Sequence, residues 1–159
     1  DEILTQVPMP RTGRSVLSFC FADPYKAENL RFNTIRSISK IFVDFIILLP
    51  IYMDINRNIH RYLHPSNIVI DAFVGTSEWK PEWVDAKKSG KTFDEFFTVF
   101  YRKRMETIGF MYGGFTEIIR SNVRNLPLYR FGCFSRHPLG IKFWDRAVSG
   151  SNPQMELGL

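Results

Sequence analysis

The sequence predicts an α/β fold built on a mixed sheet, from three observations. Two apolar runs of strand length, 16–22 (VLSFCFA) and 41–49 (IFVDFIILL), flank a stretch with helical spacing. Two more strand-like segments, 115–121 and 128–135, are joined by the short polar turn 122–125. The chain has 159 residues, enough for one real core and too few for two.

Residues 1–14 hold two prolines and little periodicity, so they read as an opening segment or linker. The 16–22 run is apolar on both faces and suits an interior strand of a parallel sheet. From 27 to 39 the stripe Ala27, Leu30/Arg31, Thr34/Ile35, Ile38 has helical period. With 41–49 following, strand, helix and strand make a right-handed βαβ unit. Segment 52–63 predicts an amphipathic helix, with Asp54, Arg57, Asn58 and Arg61 on its polar side. A short helix over 67–73 follows Ser66, and then a loop over 75–83 (GTSEWKPEW). Thr92 and Glu95 form a capping-box pair that starts a helix running to about 108. The strands 115–121 and 128–135 are antiparallel neighbours because their connection is so short. His137 to Gly140 reads as a loop and 141–148 as a closing helix, so the α/β unit spans 15–148 before a loose tail, 149–159.

Composition narrows the setting. The chain is 45% hydrophobic and 15% aromatic, with fifteen phenylalanines, which predicts a core of large rings. Its two cysteines, Cys20 and Cys133, cannot form a disulfide framework or a four-ligand zinc site. A reducing, cytoplasmic location is therefore expected. The longest apolar run, 41–53, is broken by Asp44 and Pro50 and is too short to span a bilayer, so no membrane partner is expected. The net charge of +5 permits an anionic partner without requiring one.

Four groups of residues carry candidate chemistry. Asp23, Pro24 and Tyr25 stand at the carboxyl end of the first strand, where open α/β sheets bind ligands. There an acid and a ring can position a flat substrate and accept a hydrogen bond from its amino group; a simple strand-to-helix turn is the alternative. His60 and His64 have metal-binding spacing but lack the accompanying glutamate. Asn56, Arg57, Asn58 and Arg61 follow the second strand and offer a carboxylate or phosphate contact, or simply a solvated face. Arg120, Arg124, Arg130, Arg136, Lys142 and Arg146, interleaved with Tyr129, Phe131 and Trp144, suit a nucleic-acid surface or the outer face of a hairpin. No glycine-rich phosphate loop and no catalytic triad appears.

The order strand, Asp-Pro-Tyr, helix, strand and closing antiparallel pair resembles the C-terminal half of a Rossmann-like class I S-adenosylmethionine-dependent methyltransferase fold. A narrower resemblance rests on FADPYKAENLRFNTI, VDFIILLPIYMDINRN, DAFVGTSEW and PLYRFGCFSRHPLGIKFW, which look like successive blocks of the three-Cys-motif partner protein family. The resemblance implies methylation of an amino group of a base or other substrate, with Asp23, Pro24 and Tyr25 catalytic. It implies a three-Cys-motif protein as partner. Family members begin with a D-x-F-A-G-x-G segment, which residues 1–22 do not match. S-adenosylmethionine is therefore expected only with an N-terminal half, and no cofactor for this chain alone. The alternative is a non-catalytic interaction protein docking a protein or nucleic acid, through Asn56, Arg57, Arg120, Arg130 and Arg136. Self-association through the open edge of the 16–22 strand is also expected, unless residues 1–14 cover it.

Overall fold

A computed structural model describes residues 18–150. The chain forms strand β1 (Ser18–Ala22), a 3-10 turn (Ala27–Asn29), helix α1 (Phe32–Ile38) and strand β2 (Val43–Leu49). A π-type turn (Ile51–Ile55) and four helices follow: α2 (Ile59–Tyr62), α3 (Val69–Val74), α4 (Trp79–Lys88) and α5 (Phe93–Glu106). Strands β3 (Met111–Arg120) and β4 (Pro127–Ser135) and helix α6 (Pro138–Gly150) complete it. No helix among the described residues is long and apolar enough to cross a membrane.

The fold is α/β, with a mixed sheet in the order β1-β2-β4-β3. β1 and β2 run parallel, with Phe19 opposite Asp44. β4 inserts between β2 and β3 and is antiparallel to both, with Leu49 opposite Arg130 and Tyr112 opposite Phe134. The hairpin therefore returns its second strand to the sheet centre, where Cys133, Phe134 and Ser135 are buried. β1 differs from an interior strand: among the described residues it pairs with β2 alone, and Phe19 and Phe21 stay 57% and 59% exposed. Residues 1–17 and 151–159 lie outside the described residues, while Ser149 and Gly150, expected to begin the loose tail 149–159, belong to the end of α6.

Alternation along β2 divides the two sides of the sheet. Val43, Phe45, Ile47 and Leu49 join the main core, while Asp44 and Ile46 face a cleft on the side of α6. The main core is a relay of rings. Phe73 packs on Phe97 and Tyr101 at 6.2 and 5.5 Å, and Tyr101 reaches Phe134 in the sheet at 6.0 Å.

Four local expectations change. The 75–83 loop is replaced by α4 because its tryptophans are core anchors. Trp79 is fully buried and donates to Asp71 at 2.7 Å, and Trp83 sits 5.1 Å from Phe93. Pro81 does not prevent this, since it occupies the first turn, where amides lack intrahelical partners. Pro138 likewise opens α6, so the expected His137–Gly140 loop becomes mostly first turn. The 27–39 helix is split into the 3-10 turn and α1. The 52–63 helix gives way to the π-type turn and α2, with the amide of Asn56 bonding five residues back to Ile51 at 2.7 Å. That wider turn rotates Asp54 from the expected polar face into the interior, where it is 4% exposed. The capping box at α5 forms as expected: Thr92 Oγ1 accepts from the Glu95 amide, and Glu95 accepts from the Thr92 amide at 2.8 Å.

Buried tyrosines give this fold an alkaline limit. Tyr101 is fully buried, and its hydroxyl has no hydrogen-bond partner among the described residues. Burial pushes its ionisation well above the ordinary 10.0, and burial followed by the Asp54 carboxylate does the same for Tyr62. A phenol raised in the folded state contributes stability that is whole below the unfolded value and is lost as pH rises beyond it. Stability is therefore expected to fall from about pH 10 upward. Denaturant midpoints measured from about pH 8 to about pH 11 check this, and a level profile would contradict it.

Candidate functional site

The carboxyl ends of β1 and β2 meet the start of β4, because β4 is antiparallel to β2. After Ala22, Asp23 is exposed, Pro24 is buried and Tyr25 is 65% exposed. Pro24 thus anchors the turn while the acid and the ring stand outward. Among the described residues the Asp23 carboxylate holds no hydrogen bond or ion pair and is free to accept one. Tyr129, on β4, lies within electrostatic reach of this turn. Its phenol is pushed up by burial first, then by the charge of Asp23 and by Tyr25.

Two ties, one buried and one half-buried, hold this end of the sheet. Asp54 accepts from the Ala27 amide at 2.8 Å, from Asn58 Nδ2 at 2.9 Å and from the Tyr62 hydroxyl at 2.9 Å. One carboxylate therefore fastens the segment after Tyr25 to the turn after β2. The second tie is Arg130, whose Nε donates to Asp94 at 2.9 and 3.1 Å and whose Nη2 also reaches the same carboxylate. This forked pair joins β4 to the first turn of α5, where a carboxylate also suits the helix dipole. Tyr52 lies against it, its phenol pushed up by burial and then by Asp94.

The sequence-predicted residues fall in different places. Asp23, Pro24, Tyr25, Asn56, Arg57 and Arg130 collect at the carboxyl end, with Asn56 and Arg57 exposed. Arg120 is exposed near the tip of the hairpin, donating to the Asn125 carbonyl at 3.0 Å. Arg136 lies at the opposite end of the sheet. Its guanidinium stacks 4.4 Å from the Phe110 ring centre and donates to the Ser39 and Ile108 carbonyls. The basic residues thus do not share one face. His60 and His64 are exposed, and no metal-holding group exists among the described residues.

Asp54, Tyr52 and Asp94 were not foreseen as part of this end. A polar residue in the apolar stretch 51–55 was the available signal for Asp54. For Asp94 no local signal exists, since its partner is 36 residues away.

No family model, curated protein or solved structure matches this chain.

Proposed function

We propose that this chain is the substrate-binding part of a methyltransferase-like protein of the three-Cys-motif partner kind, acting on an amino group. One observation carries the reading: an Asp23 carboxylate with no partner among the described residues, at the carboxyl end of a parallel strand pair, next to Tyr25 and within electrostatic reach of Tyr129. A flat acceptor stacked on these rings would donate its amino N–H to Asp23, which orients the nitrogen lone pair away from the protein surface. The parallel pair followed by a closing antiparallel pair agrees with the resemblance. S-adenosylmethionine would supply the methyl group, held by a glycine-rich loop outside this chain.

The test uses protein joined to such a cofactor-binding half. Asp23→Ala is expected to lower methyl transfer to an amino acceptor by roughly 100-fold, with cofactor affinity unchanged. Unchanged turnover in both Asp23→Ala and Tyr25→Ala would return the motif to a plain turn.

A second reading, an interaction protein, is favoured by the outer edge of β1. Phe19 and Phe21 are exposed beside backbone groups that no described residue pairs. Self-association through this edge is expected, and Phe21→Lys should shift the chain toward monomer in sedimentation experiments. A wild-type chain that is monomeric at all concentrations would count against it.

A further inference from the structure

On the α6 side of the sheet, β2 carries a second buried aspartate in a different condition. Asp44 is 6% exposed, nearly as buried as Asp54. Asp54 has three hydrogen-bond donors, whereas Asp44 has no hydrogen bond or ion pair among the described residues. Asp44 lies in a cleft of about 640 Å³, a volume typical of small-molecule sites. Phe19 and Phe42 line it from the β1–β2 side, Phe143 and Trp144 from α6, and Cys133 from β4.

The cleft exists because α6 covers only part of this face. The helix packs on β3 and β4, with Trp144 against Phe131 at 5.0 Å, and leaves the β1–β2 side open. Its first turn comes very close to Asp44: a Cβ on Gly140 would lie 2.7 Å from Asp44 Oδ2 and 2.2 Å from Ser135 Oγ. Yet that turn gives the carboxylate no hydrogen bond, because the amide of Leu139 goes to His137 Nδ1 at 3.1 Å and that of Gly140 to the His137 carbonyl at 2.9 Å. The helix contributes the field of its N-terminus and leaves the acceptor positions of Asp44 unfilled. Cys133 reports the local charge. Its thiol is pushed up to about 12, by burial first and then by the Asp44 and Asp145 carboxylates. Among the described residues that line the cleft, Asp44 is the one carboxylate, and no lysine or arginine joins it.

We propose that the cleft between α6 and the β1–β2 face binds an organic ammonium ion with an apolar body, with Asp44 as its counter-ion. The ammonium supplies the donors that Asp44 lacks. The rings of Phe19, Phe42, Phe143 and Trp144 receive the apolar body and attract the cation through their faces. The site lies toward the amino ends of the strands, away from Asp23, and stands independently of the methyltransferase reading.

The probe is 4-phenylbutylammonium, compared with 4-phenylbutanol and 4-phenylbutyrate at neutral pH. Binding is followed by tryptophan fluorescence, since Trp144 lines the cleft while Trp79 and Trp83 belong to the main core. The ammonium is expected to bind saturably and about tenfold or more tighter than either comparison compound. Asp44→Asn, checked for retained fold by circular dichroism, should erase that preference. Phe143 is 61% exposed, so Phe143→Lys tolerates folding independently and should also abolish ammonium binding by placing a like charge in the cleft. No saturable binding, or a preference that survives both substitutions, overturns the proposal. So does a dimer whose second copy blocks the probe, which would assign the cleft to a protein contact.

Discussion

Replacing Asp54 with alanine is expected to destabilise the protein by about 3 kcal/mol or more, since buried donors left without acceptors cost roughly 1–3 kcal/mol each. The carboxylate serves the Ala27 amide, the Asn58 side chain and the Tyr62 hydroxyl, and both Ala27 and Tyr62 are buried. Alanine offers no acceptor, and the hole it leaves is too enclosed for each donor to be rehydrated freely. Asp54→Asn should cost less, because one acceptor oxygen remains, but its amide group then confronts a donor. Urea unfolding of both variants measures the difference. Because the Ala27 contact fixes the segment following Tyr25, hydrogen exchange over residues 23–30 should also rise in the alanine variant. A loss below about 1 kcal/mol would mean that water replaces the carboxylate at this site.

Gly75→Ala is expected to cost about 3 kcal/mol, summing the left-handed backbone penalty and local overpacking. Gly75 ends α3 at φ +76°, a conformation that favours glycine. A Cβ there would lie 2.6 Å from Phe32 Cδ1 and 3.0 Å from Phe32 Cβ. Phe32 has little room to retreat. It is 1% exposed, packs edge-on to Tyr101 at 6.4 Å, and is covered by Arg104 at 5.3 Å from its ring centre. Arg104 is itself held by the Val74 carbonyl at 3.0 Å. Thermal unfolding checks the prediction, and a variant as stable as the parent would show that the α1–α3 contact can shift.

Both substitutions disturb contacts between segments that the sequence alone does not connect. The Thr92–Glu95 box was legible because its partners are three residues apart. The β3–β4 pairing was legible because the turn leaves the chain no other neighbour so near. Trp79 and Trp83, by contrast, read as loop residues among Gly75, Pro81 and charged neighbours. Only the presence of Phe93, Phe96 and Asp71 around them makes a helix worthwhile.

The sequence by itself determined the α/β class, the parallel strand pair and its crossover, the closing hairpin, and the break after the first strand at Asp23–Tyr25. These follow from residue periodicity and from polar or rigid residues at fixed short separations, which act before any distant contact forms. Tertiary structure alone decided that β4 inserts between β2 and β3, that Arg130 pairs with Asp94, and that Arg136 clamps the opposite end of the sheet. It also decided the different fates of two aspartates that look alike in sequence. Asp54 is rotated by its π-type turn into a ring of donors, while Asp44 faces a cleft beside a helix whose nearest amides are already taken. Hydrogen bonds and packing between distant segments act at angstrom range, so their partners are set by the folded geometry and leave no periodic trace in the chain.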